Sequence, residues 1–126
     1  MRLLLYTPLG QSIGGQLHEM IGALVSEDDV EVYRTIEGLS RRLRQPGNDL
    51  PVAILHAPRK EDLWDILAIR DLFRDIRIIL VLPDRDENTI AQGHILRPRF
   101  LCYSDSDLAD VSAVLKKYLA RDAAKV

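Results

Sequence analysis

The stretch Ile76-Arg77-Ile78-Ile79-Leu80-Val81-Leu82-Pro83-Asp84 decides the fold. Apart from Arg77 it is apolar up to Leu82, rich in β-branched residues, and shows no alternation of apolar and polar positions. A strand with that pattern is covered on both faces, as in a parallel sheet with helices above and below. Pro83-Asp84 ends it, because proline removes a ladder donor and aspartate favours a turn. Upstream, Pro51-Val52-Ala53-Ile54-Leu55-His56 is a second continuous apolar run. Between the two, Leu63, Ile66, Leu67, Ile69, Leu72 and Phe73 recur at helical spacing and predict one longer helix.

The same alternation runs to both ends. Arg2-Leu3-Leu4-Leu5-Tyr6-Thr7 reads as a strand, and Ile13, Leu17, Met20, Ile21, Leu24 and Val25 form the stripe of a helix behind it. Gly14, Gly15 and Gly22 on that helix suggest a close approach to the sheet. Val30-Glu31-Val32-Tyr33-Arg34 alternates, as an edge strand does. Thr35 is placed to cap a helix carrying Ile36, Leu39 and Leu43, stopped by Pro46-Gly47. Downstream lie a short helix over about 88–96, a strand Arg99-Phe100-Leu101-Cys102-Tyr103, and a last helix with Leu108, Val111, Leu115, Tyr118 and Leu119 inward. Five βα units imply a three-layer α/β sandwich over residues 1–126, a single domain. Its expected sheet is parallel, in the flavodoxin-like order 2-1-3-4-5. The first and last helices should share one face, and the middle three the other.

Composition narrows the function. The 126 residues carry a formal net charge of −2, so the domain has no nucleic-acid footprint. A single cysteine excludes an internal disulfide or a cysteine-rich zinc site and fits a reducing compartment. Cys102 reads as a small buried hydrophobe. Leu3-Leu4-Leu5-Tyr6 is far too short for a signal-peptide core or a membrane span, so the expectation is a cytoplasmic chain with no membrane partner.

In this architecture a site lies at the carboxyl ends of the strands. Those positions are Thr7, Thr35, His56, Pro83 and Ser104. Together with Thr35-Ile36-Glu37-Gly38 through His56, and Ile78 through Leu115, the chain resembles the receiver domain of bacterial two-component response regulators. The resemblance implies a magnesium-binding acidic pair where Thr7 and Pro8 stand. It implies a phosphoacceptor aspartate at His56, a hydroxyl residue at Pro83, and a lysine at Tyr103 or Ser104. None of these is present, and phosphoryl transfer to a carboxylate needs a metal held by oxygen ligands. The resemblance is therefore to a pseudo-receiver, a non-enzymatic signalling module with no cofactor that acts through a protein partner. It also implies a working face, where Gln92, Arg97, Arg99, Tyr103, Asp110, Lys116, Lys117 and Arg121 would serve a partner or a homodimer.

Rival readings attach to other motifs. Gly10-Gln11-Ser12-Ile13-Gly14 matches a nucleophile elbow, with His56 or His94 as its base, but no acid is placed to complete it. The loop from Thr7 to Gly15 is an alternative site for a small ligand, flavin or phosphate at a helix N-terminus. Asp84, Asp86, Glu87, Asp105 and Asp107 gather on neighbouring loops, where helix capping accounts for them better than a cation does. Arg41, Arg42 and Arg44 read as a solvated helix face.

Overall fold

The computed structural model describes residues 2–8, 12–45, 50–104 and 108–124, with 12–14 and 121–124 in backbone only. Among these, five strands alternate with five α-helices: β1 (Leu3–Tyr6), α1 (Ser12–Leu24), β2 (Val30–Tyr33), α2 (Ile36–Leu43), β3 (Val52–His56), α3 (Lys60–Ala68), β4 (Arg77–Leu82), α4 (Glu87–His94), β5 (Phe100–Tyr103) and α5 (Ala109–Ala124). The strands form one parallel sheet in the order β2-β1-β3-β4-β5. Both the layer architecture and the strand order match the sequence reading.

The alternation of Cβ directions splits the core in two. Leu3, Leu5, Val52, Ile54, Ile79 and Val81 pack under Leu17 and Ile21 of α1 and Val111, Leu115 and Tyr118 of α5. Leu4, Tyr6, Ala53, Leu55, Leu80 and Leu82 pack under Leu39 and Leu43 of α2 and Leu63 and Ile66 of α3, with α4 on the same face. Every residue of β3, and β4 from Ile78 on, is buried. The helix starts follow their caps. Thr35 Oγ1 accepts from Gly38 N at 3.1 Å, and Asp86 Oδ1 accepts from Asn88 N at 3.4 Å.

Three readings are corrected. The single helix expected over Leu63 to Phe73 breaks at Ile69, and a 3₁₀ turn, Arg70–Phe73, follows. Arg42 is not solvated. Its Nε and Nη2 grip both oxygens of Glu31 on β2, at 2.7 and 3.1 Å, and this pulls the Glu31 carboxyl below its usual range. Such a two-pronged pair fixes geometry as well as charge. Gly15 and Gly22 do not mediate close approach, since a Cβ on either would meet nothing within 4 Å. The close approach is at Gly93 on α4. A Cβ there would stand 3.2 Å from Leu80 and Leu82 and 3.4 Å from Leu101.

These glycines give opposite expectations. Gly22→Ala, in open space inside α1, should stabilise by up to about 1 kcal/mol through helix propensity. Gly93→Leu drives a side chain into the β4–β5 leucines and should cost about 1–3 kcal/mol. Urea denaturation of the two variants checks both signs.

Candidate functional site

The strand carboxyl ends are drawn together by backbone bonds that continue the ladders. Thr7 N donates to Tyr33 O at 3.0 Å, Ala57 N to Val81 O at 2.9 Å, and Ser104 N to Leu82 O at 2.8 Å. Ser104 Oγ donates to that same Leu82 carbonyl at 3.1 Å, so its hydroxyl is occupied in closing the β4–β5 end.

Thr7 and His56 continue the alternation of Leu3, Leu5 and of Val52, Ile54, which turns both toward the α1–α5 side. There Thr7 Oγ1 and His56 Nδ1 share a hydrogen bond of 3.0 Å, and both residues are fully buried. His56 Nε2 is buried with no hydrogen-bond partner among the described residues. Burial disfavours the imidazolium and pushes the His56 pKa down from 6.5 to about 4, the nearby Asp62 carboxylate opposing only in part. His56 is therefore a neutral imidazole at neutral pH. It offers neither a carboxylate to attack a phosphoryl group nor a fixed positive charge to stabilise one.

The remaining strand-end residues are similarly committed. Pro83 is half-buried and brings no donor. Tyr103 is half-buried beneath the Arg85 guanidinium, 4.4 Å from its ring centroid. Asp84 Oδ1 accepts from Asp86 N at 2.9 Å, and Asp86 caps α4 while pairing with Lys60 at 3.1 Å. That contact holds the Asp86 carboxyl below its usual range and the Lys60 ammonium above its own. Among the described residues no group of three His, Cys, Asp or Glu side chains is placed to hold a metal ion. A magnesium site of the receiver kind does not fit Thr7, Pro8 and His56, which present no carboxylate.

The rival sites fare unequally. Gly10 and Gln11 of the elbow motif, Asp105, Asp107 and the helix stop Pro46-Gly47 lie outside the described residues, and the Ser12 side chain is not described. His94 ends α4, at the opposite end of the sheet from His56. Trp64 is half exposed on α3, where its Nε1 donates to Gln92 Oε1 on α4 at 3.0 Å. Cys102 is buried, which raises its thiol pKa to about 11.

The eight residues of the expected working face divide. Tyr103 lies at the carboxyl end of β5, and Asp110, Lys116 and Lys117 are exposed along α5. The Arg121 side chain is not described. Gln92 belongs to the α3–α4 seam, whereas Arg97 and Arg99 reach the amino end of the sheet. There they join Arg70, Arg74 and Arg77 around a cleft that the sequence reading missed. The available signal was five arginines, four in the segments just before β4 and β5 and Arg77 at the first position of β4.

Compared with protein-family models and with curated proteins, the chain matches none. Among solved structures it is similar to that of a "putative pilus assembly-related protein" from Burkholderia pseudomallei. The TM-score is 0.65 at 18% identity, over 95% of this chain and 90% of that one. The likeness is one of fold. No helix among the described residues is long and apolar enough to cross a membrane.

The buried imidazole sets a pH dependence. The unfolded chain binds the His56 proton near pH 6.5 and the folded chain only near 4, so between these values the unfolded state holds more protons. Stability should therefore fall as pH drops through that window, by about 2 kcal/mol between pH 7 and pH 5. Carboxyls held low, such as Glu31, lose their contribution below that interval. Urea midpoints at the two pH values should differ in the wild type and converge in His56→Gln; an equal slope in both would place the titration elsewhere.

Proposed function

We propose that the chain is a non-enzymatic signal-transduction module of receiver type, without the phosphorylation chemistry, that works in the cytoplasm through protein partners. One observation carries the reading: the pair Thr7–His56, fully buried and hydrogen-bonded to each other, occupies the strand ends where a receiver would hold its acidic residues and its phosphoacceptor. The strand order and the 2-1-3-4-5 sheet suit the reading. A module without phosphorylation chemistry is set by binding alone, and its output is then a change in which surface is covered.

Self-association is part of the proposal. The exposed α5 residues Lys116, Lys117 and Asp110 carry both charge signs, and a two-fold pairing can set each against its opposite. Tyr103 contributes an aromatic side chain of the kind found at interface centres.

Two measurements test the proposal. Beryllofluoride with magnesium, a mimic of aspartyl phosphate, should leave the amide NMR spectrum unchanged, and shifts clustered around His56 would reveal a surviving phosphoryl site. Light scattering should show a dimer for the wild type and a monomer for the Lys117→Glu, Arg121→Glu double variant. A monomer in both removes self-association, and a dimer in both moves the interface off α5.

A further inference from the structure

The sheet's amino end carries a concentration of positive charge that the strand-end site does not use. Pro51, the 3₁₀ turn Arg70–Phe73 with the link to β4, and the link from α4 to β5 enclose an open cleft of about 840 Å³. Five arginines line it, at positions 70, 74, 77, 97 and 99, against two aspartates, Asp71 and Asp75. This excess stands on a chain whose net charge is −2.

Two of the five arginine side chains make polar or ring contacts within the fold, and among the described residues three do not. Arg77 lies over the Tyr118 ring at 5.3 Å, and Arg70 donates to the Leu67 carbonyl. Arg74, Arg97 and Arg99 are exposed and form no ion pair among the described residues. Three guanidinium groups are thus left uncompensated around one concavity.

The backbone supports the same conclusion. The described non-glycine residues with positive φ are Asp75, at 61°, and Arg97, at 52°, and both line this cleft. A left-handed turn just after a helix is the position where glycine is favoured. Arginine there is strained, and strain of this kind gathers where a side chain has work besides folding.

We propose that this cleft docks an acidic segment of a partner protein, a short run of Asp and Glu side chains with an apolar residue that settles on Ile95. The proposal rests on the reading of the chain as an interaction module and names the chemistry of its partner. Guanidinium forks match carboxylates in pairs. Ile95, a large apolar side chain left 54% exposed, lines the cleft and supplies the apolar contact. A single-stranded nucleic acid fits less well. Its bases need an exposed aromatic surface, whereas Phe73 is buried and Tyr118 is roofed by Arg77. A small metabolite would be expected at the opposite, carboxyl end of such a sheet.

The test is an amide NMR titration with an acetylated octapeptide of glutamate and aspartate around one central leucine, beside its uncharged Gln/Asn counterpart and a decathymidylate oligonucleotide. The acidic peptide should shift amides of residues 70–77 and 95–99, and should bind more weakly as salt rises. Arg74→Glu with Arg99→Glu should weaken binding at least about tenfold while the rest of the spectrum stays folded. Arg97→Gly, which relieves the left-handed strain, should raise the melting temperature and still lower the affinity. The proposal is overturned if those amides stay still, if neither variant changes the affinity, or if decathymidylate binds as tightly as the peptide. It is equally overturned if light scattering shows the Arg74→Glu, Arg99→Glu variant dissolving a dimer, since a second copy would then fill the cleft. Failure here leaves the beryllofluoride result untouched, because that experiment reads amides at the other end of the sheet.

Discussion

Strands β3 and β4 pair over five residues, from Val52 opposite Arg77 to His56 opposite Val81, and beyond Arg77 both are buried on both faces. Side chains that dry on two faces need a helix layer on each, and right-handed crossovers between parallel strands supply those layers. The division of the core into an α1–α5 half and an α2–α3–α4 half follows from that pairing. The tight seat of α4 follows too, since Gly93 meets leucines of β4 and β5. Core volume is fixed to within a methyl group at such a contact.

A parallel sheet also fixes two chemically different ends. At the carboxyl end the ladders continue past the strands into Thr7, Ala57 and Ser104, and the side chains nearest them are turned inward or bonded to one another. Thr7 Oγ1 and His56 Nδ1 bond to each other across 49 residues of sequence, and burial keeps the imidazole uncharged. Carboxylates near this end, Asp84 and Asp86, are engaged in turn and cap geometry. The amino end is built differently. Its connections are a 3₁₀ turn and two left-handed residues, and they hold arginines out toward solvent. The contrast places an excess of arginine at the amino end, away from Thr7 and His56.

Much of this was legible in the residues themselves. The order of strands and helices follows from periodicity, which is a local property. Continuous apolar runs at 52–55 and 78–82 require two covered faces, and helical stripes of three- and four-residue spacing provide the covers. Caps such as Thr35 and Asp86 act within four residues and were readable for the same reason. The strand-end positions Thr7, His56, Pro83 and Ser104 were found because strand ends are where runs stop.

What tertiary structure decided involves partners that are distant in sequence or backbone that deviates from its local preference. The Arg42–Glu31 grip joins α2 to β2, and no spacing rule links residues across a crossover. The break at Ile69 interrupts a helical stripe that, by period alone, continues to Phe73. Glycine is informative only once its surroundings are known: Gly22 faces open space and Gly93 a wall of leucines. The arginine cleft exists because the segments before β4 and β5 are neighbours on one end of a sheet, although more than twenty residues of chain, with a strand and a helix in them, separate Arg74 from Arg97. Sequence determined the layers, since they follow from short-range period; only folding decided which charges would stand together.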